Sequence, residues 1–286
     1  MRNVFWSIIF LILNLAPLVM AQEHIQNPGI FIPFNQTIPG EVLKTKNESL
    51  VAVRASIYGW ADNLAVYSKY YFGSGVTVWD NYILTSLHIF GESPALWRGT
   101  DQYPTTGVIL DGEHFFFAKV AFLDPQADLA LLKIETPNER KETFNKKPAR
   151  IAKTTYILDP TSGQPRVLDE KFFAFSFYTN DARFFYTVSL GPYRAMTNTL
   201  DLGYYLPYPV GVVQGAIQPG FSGGPLLSPD GLVMGIASSG SNINTFVVTV
   251  ETIHSFLKLA ATHLGLDAEG KPVVPVPPAP LSPEEK

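Results

Sequence analysis

Gln218-Pro219-Gly220-Phe221-Ser222-Gly223-Gly224-Pro225-Leu226 is the stretch from which the rest of the chain can be read. One serine stands among three glycines and two prolines, between the apolar pairs Val212-Val213 and Leu226-Leu227. Glycine lets a backbone turn tightly and approach a ligand closely, because no Cβ intervenes. A serine carried on such a turn presents its Oγ and nearby backbone N–H groups on one surface. Those are the parts of an acyl-transfer nucleophile with an oxyanion hole. The same residues also read as a plain Gly-rich hairpin turn, since a motif is a hypothesis until its context agrees. A base, and an acid to orient it, must come from elsewhere in the chain.

There are five histidines. His24 lies in the N-terminal lead-in, His114 follows the turn Asp111-Gly112, and His254 and His263 fall on a predicted helix. His88 differs: it closes Tyr82-Ile83-Leu84-Thr85-Ser86-Leu87-His88, just past a strand and in apolar company. There a ring can be held in one orientation facing a cleft. Histidine as a residue type titrates near pH 6.5, which suits general base work near neutrality. A satisfied core histidine is the alternative reading. The candidate acid is Asp128, which leads directly into the apolar run Leu129–Ile134. A partly buried carboxylate needs partners, and an imidazole N–H is a good one. Asp124, before Pro125, reads instead as a turn residue.

The chain order His88, Asp128, Ser222 is that of chymotrypsin-type proteases, not of subtilisin or the α/β-hydrolases. Four stretches then resemble a known family. They are Gly73-Ser74-Gly75-Val76 with Tyr82–His88, and Asp111-Gly112 with Ala118-Lys119-Val120 and Asp124–Lys133. Gln214 with Ala216–Leu226 and Gly231–Ile236 complete the set. The chain resembles the trypsin-like serine proteases, closest to the HtrA (DegP-like) family, from about Ser49 to Leu264.

That resemblance implies an all-β fold of two six-stranded antiparallel β-barrels with a C-terminal α-helix. It implies a serine endopeptidase in which Ser222 attacks a peptide carbonyl, His88 serves as base and then acid, and Asp128 fixes the imidazole tautomer. The backbone N–H groups of Gly220 and Ser222 would hold the oxyanion. No metal or organic cofactor is implied, and the partners are protein or peptide substrates. By the family pattern Ala216 lies at the pocket floor, while Ile236, Ala237 and Ser238 line a wall. A small or medium apolar side chain before the cleaved bond follows. Family members form trimers through N-terminal segments, which makes Phe31 and Phe34 candidates for contacts in a homo-oligomer.

The chain departs from the family pattern in three places. Phe221 stands where a small polar asparagine is usual, Phe177–Asp181 replaces a Gly-x-Pro turn, and too few residues follow Leu266 for a PDZ domain. A bulky aromatic beside the nucleophile either changes how the oxyanion loop sits or requires its own apolar pocket. Phe221 therefore keeps open an alternative, a catalytically silent protease-fold module that binds a protein partner. An esterase using the same triad is a further reading.

Composition sets the outer bounds. The 286 residues are 46% hydrophobic and 16% charged, which suits one large or two small domains with a substantial core. A net charge of −4, without basic runs or a Gly-rich phosphate loop, argues against nucleic acid and nucleotides. Residues 1–21 read as a secretory signal, with Arg2 followed by the apolar run Val4–Val19 and a cut after Ala21. Uncleaved, this segment would be a membrane anchor. With no cysteine there are no disulfides and no thiolate metal sites, which fits a bacterial periplasmic or secreted protein. The expected order is an irregular lead-in over 22–48 and a protease domain over 49–266. Within that domain, barrel one covers about 49–136, barrel two about 167–248 and a helix 250–264. The helix carries apolar Ile253, Phe256, Leu257, Ala260 and Leu264 and stops at Gly265. A Pro-rich tail follows over 267–286, and its part from Lys271 to Lys286 is expected to be exposed and without packed structure.

Overall fold

The computed structural model describes residues 38–61, 64–90, 107–111, 114–135, 142–154, 157–158, 165–166, 171–177, 185–190, 193–197, 210–241 and 243–273. The expected signal (1–21), Phe31, Phe34, the substituted turn beyond Phe177 and the tail after Val273 lie outside these residues.

Short apolar runs bounded by Asn, Asp and Gly become the strands of the first half. They are β1 (Leu50–Ala61), β2 (Leu64–Trp79), β3 (Tyr82–Ser86), β4 (Gly107–Asp111), β5 (His114–Asp124) and β6 (Leu129–Ile134). They close into a barrel in the order β1-β2-β3-β6-β5-β4, with the β1–β2 ribbon extending past it. Val51, Val53, Ile83, Phe116, Ala130 and Leu132 fill its interior. His114 opens β5, and its Nδ1 lies 3.1 Å from Glu142 Oε1.

The second half holds β9 (Phe172–Phe177), β10 (Phe185–Leu190), β11 (Tyr193–Thr197), β12 (Val210–Gln214), β13 (Pro225–Leu227), β14 (Val233–Gly240) and β15 (Asn244–Thr249). A small separate hairpin pairs β7 (Ile157–Leu158) with β8 (Pro165–Arg166). Where a second six-stranded barrel is expected, the described residues form a seven-stranded antiparallel sheet in the order β10-β9-β13-β14-β15-β12-β11. One of the seven strands, β11, has no sequence pattern to mark it. Its sequence, Tyr193-Arg194-Ala195-Met196-Thr197, lacks the alternation that marks a strand.

One core joins the halves. Leu50, Val76, Leu84, Leu129 and Leu131 meet Phe175, Leu227, Ile236, Phe246 and Val248 in a single buried cluster. The C-terminal helix, Val250–Leu264, adds Ile253, Phe256 and Ala260 to it. Thr249 caps that helix by accepting from the Thr252 N–H, and Gly265 ends it in the left-handed conformation, φ 66°.

Two terminal segments differ from expectation. Within the lead-in, Gly40–Ser49 is a helix rather than irregular chain. Its pattern is weak because it buries only Val42 and Ser49, and docking holds it: Thr45 Oγ1 donates to the Gly231 carbonyl at 2.9 Å. At the other end, packed structure runs on past Leu266. Leu266 bridges to Pro272, Trp79 Nε1 donates to the Ala268 carbonyl at 3.1 Å, and Gly270 lies against the Trp79 indole.

Candidate active site

The register Ser86↔Leu129 between β3 and β6 brings the residues after β3 to the same barrel edge as those before β6. His88 follows on a 3-10 turn, Leu87–Phe90, in which Leu87, Ile89 and Phe90 are buried. The apolar neighbours anchor the turn and leave the imidazole 40% exposed. Asp128 reaches it from the other strand. Its Oδ2 lies 2.8 Å from His88 Nδ1, and its Oδ1 accepts the His88 backbone N–H at 2.9 Å. The Leu87 N–H donates to the Asp128 carbonyl at 3.0 Å. Asp128 holds φ 52°, a left-handed conformation uncommon among non-glycine residues, of which aspartate is one that adopts it more often.

A third donor comes from the second half. Ser238 Oγ donates to Asp128 Oδ2 at 2.6 Å. The pairing of β14 with β15 steps from Ala237↔Val247 to Ser239↔Phe246, so Ser238 is the extra residue of a bulge. Bulges re-aim side chains next to functional sites, and this one sends the hydroxyl to Asp128.

The serine turn is fixed from below. The Pro219-Gly220 pair forms a type II turn: Gly220 has φ 99° and the Phe221 N–H donates to the Gln218 carbonyl at 3.3 Å. The Ser74 N–H donates to the Ser222 carbonyl at 2.8 Å, and the Gly223 N–H to the Ala237 carbonyl at 2.7 Å. The Phe221 carbonyl accepts from the Gly224 N–H at 2.9 Å. A trans peptide sets N–H opposite C=O, so the Ser222 N–H points away from that contact. Among the described residues neither the Gly220 nor the Ser222 N–H donates to a backbone carbonyl. Ser222 Oγ makes no hydrogen bond among the described residues either. Its turn is brought to the His88 edge by backbone contacts.

Phe221 is 2% exposed and packs with Phe172, Ala174, Val213, Leu226, Met234 and Val247. Of the two consequences foreseen for an aromatic at this position, the chain adopts the dedicated apolar pocket.

The three residues expected at the substrate wall have buried side chains. Ile236 is fully buried in the central core, and Ala237 is 1% exposed with both backbone groups committed to the serine turn. Ser238 is buried and directed at Asp128. Ala216 is half-buried on the segment leading to the serine turn. The position of Ser238 was not foreseeable, because its direction depends on the bulge.

A closed antiparallel barrel joined to a second antiparallel sheet and a C-terminal helix is the trypsin-like fold, and solved structures bear this out. The chain is similar to the Rv3671c protease of M. tuberculosis in its inactive form, with TM-score 0.55, 17% identity, and coverage of 82% of this chain and 99% of that one. The active form gives TM-score 0.53, 18% identity, and coverage of 86% and 97%. Residues 73–236, more than half of the chain, match the family of trypsin-like peptidase domains. The chain belongs to that family, a serine-protease class of hydrolase. It is also 32% identical over 171 residues to a protein of Marinomonas sp. (strain MWYL1) described as a probable periplasmic serine endoprotease, DegP-like, covering 58% of this chain and 29% of the relative.

Proposed function

We propose that this protein is a serine endopeptidase that hydrolyses peptide bonds in proteins through an acyl-enzyme on Ser222. His88 takes the Ser222 hydroxyl proton as Oγ attacks the scissile carbonyl, then gives it to the leaving amine. Water, activated by the same imidazole, releases the acyl group and restores Ser222. Asp128 holds the His88 Nδ1–H, and the Gly220 and Ser222 N–H groups receive the oxyanion, each worth on the order of 3 kcal/mol. The observation that carries this reading is the His88–Asp128 pair at 2.8 Å. It lies on the barrel edge where the Ser222 turn is fixed through Ser74. In proteases without bound substrate the serine–imidazole bond is often long, and it tightens with substrate present.

Ala216 is proposed at the floor of the specificity pocket, which favours a small or medium apolar side chain before the cleaved bond. A periplasmic or secreted location is supported by the Arg2-led apolar run and by the description of the Marinomonas relative. A fluorophosphonate probe tests the assignment. It should label the wild type and fail to label Ser222→Ala. A folded wild type that stays unlabelled, with peptide activators present, establishes the silent binding module instead.

A further inference from the structure

We propose that Ser74 is the positioning residue of the oxyanion hole; this rests on the endopeptidase reading above. Ser74 is fully buried on β2, in the barrel opposite to the nucleophile. It makes two contacts with the turn, one on each side of Phe221. Its Oγ donates to the Gly220 carbonyl at 2.8 Å, and its backbone N–H donates to the Ser222 carbonyl at 2.8 Å. Its own carbonyl accepts from Thr85 Oγ1 at 2.7 Å, which ties it to the strand that leads to His88.

Peptide planarity turns these contacts into a constraint on the N–H groups. The Gly220–Phe221 peptide is pinned at both ends, its carbonyl by Ser74 Oγ and its N–H by the Gln218 carbonyl. The Ser222–Gly223 peptide is pinned likewise, by the Ser74 N–H and the Ala237 carbonyl. The intervening peptide is held by Gly224, which leaves the Ser222 N–H free. The Gly220 N–H lies just upstream, on a residue whose φ of 99° depends on the same turn. The backbone half of the clamp survives any side-chain substitution. The hydroxyl half does not, and it is the half that fixes Gly220.

The neighbouring glycines allow the close approach. A Cβ at Gly73 would meet the Ser222 carbonyl at 2.7 Å, and one at Gly224 would meet the Ser74 Cβ at 2.9 Å. The segment Gly73-Ser74-Gly75 therefore brings one hydroxyl up to the turn on a backbone that carries no side chain on either side.

The test compares Ser74→Ala with wild type on a peptide ester and on a peptide aldehyde, whose tetrahedral adduct places its oxygen in the hole. Thr45→Ala serves as control, since it also removes one hydroxyl-to-carbonyl bond, the 2.9 Å contact to Gly231, remote from the site. Ser74→Ala should lower kcat about tenfold to a hundredfold, below the 10²–10³ that loss of a whole donor costs. KM should change by less than about threefold, and aldehyde inhibition should weaken by the same factor as kcat. Should Ser74→Ala not fold, Ser74→Cys keeps the volume and supplies only a weak donor, with the same direction expected. If wild type is labelled at Ser222 but Ser74 variants keep wild-type kcat and aldehyde affinity, this inference alone is overturned. The same holds if Thr45→Ala loses as much kcat. An unlabelled wild type overturns the endopeptidase reading, and this inference with it.

Discussion

Replacing Asp128 by asparagine should abolish most activity while leaving the fold in place, and the reason can be worked from three contacts. Asp128 Oδ1 accepts the His88 backbone N–H at 2.9 Å. Asp128 Oδ2 faces His88 Nδ1 at 2.8 Å and accepts the Ser238 hydroxyl at 2.6 Å. An asparagine must set its NH2 at one of these two sites. At the first it would face a backbone donor that has no other role, leaving two donors head to head. At the second both neighbours adapt: the serine hydroxyl rotates to accept, and the imidazole changes tautomer. The second arrangement therefore wins, and it moves the imidazole proton from Nδ1 to Nε2. A proton on the nitrogen needed as base prevents it from taking the Ser222 proton. The expected loss in kcat/KM is about 10⁴-fold, or about 5 kcal/mol. The assay is hydrolysis of a peptide ester by the variant, with a thermal melt to establish folding and imidazole ¹⁵N shifts to read the tautomer. A folded variant that retains kcat/KM within about tenfold of wild type, or keeps the Nδ1–H tautomer, refutes the reasoning.

Three further outcomes follow from other parts of the molecule. Phe221→Ala should cost about 3–5 kcal/mol of stability in chemical denaturation, because it empties a closed apolar pocket, and Phe221→Leu should recover most of it. Gly223→Ala should fail to fold or lose labelling of Ser222, because φ is 79° and the new Cβ would sit 2.7 Å from the Ser86 nitrogen. Burial, with repulsion from Lys146 adding to it, pushes the Lys46 ammonium below the ordinary lysine value of 10.5. The folded state thus penalises the charged form at neutral pH, and the penalty fades as pH rises toward 10.5. Melts of wild type and Lys46→Met across that range should show the wild type gaining on the variant; a constant gap would contradict the assignment.

The features legible in the sequence were those with local causes. The serine turn announced itself through Gly220 and Gly223, which adopt φ 99° and 79°. The strand Leu129–Ile134 and the helix Val250–Leu264 have the bounds their apolar patterns gave. What stayed hidden depends on long-range contact. The left-handed Asp128 is held by His88, forty residues away in sequence. Gly40–Ser49 becomes a helix through docking of Val42 and Thr45, with too few apolar positions to mark it beforehand. Ile236, Ala237 and Ser238 were assigned to a ligand wall by analogy. Burial of Ile236 in the core and the bulge at Ser238 turn them inward, and neither leaves a trace in residue type.

Those same residues explain how two sheets hold one site. The Ala237 carbonyl accepts from Ser86 Oγ at 3.1 Å, two residues before His88, and from the Gly223 N–H at 2.7 Å, one residue after Ser222. The next residue, Ser238, donates to Asp128. Two consecutive residues of β14 thus contact the histidine strand, the acid and the serine turn. Along a strand successive side chains alternate between faces and successive carbonyls between edges, so a slip of β14 by one residue would break all three contacts together. The bulge at Ser238 and the burial of Ile236 between the halves set that register. Buried residues of β14 therefore carry the alignment of the site, and the serine turn can rely on an apolar anchor at Phe221 because its polar alignment is supplied by Ser74 and Ala237.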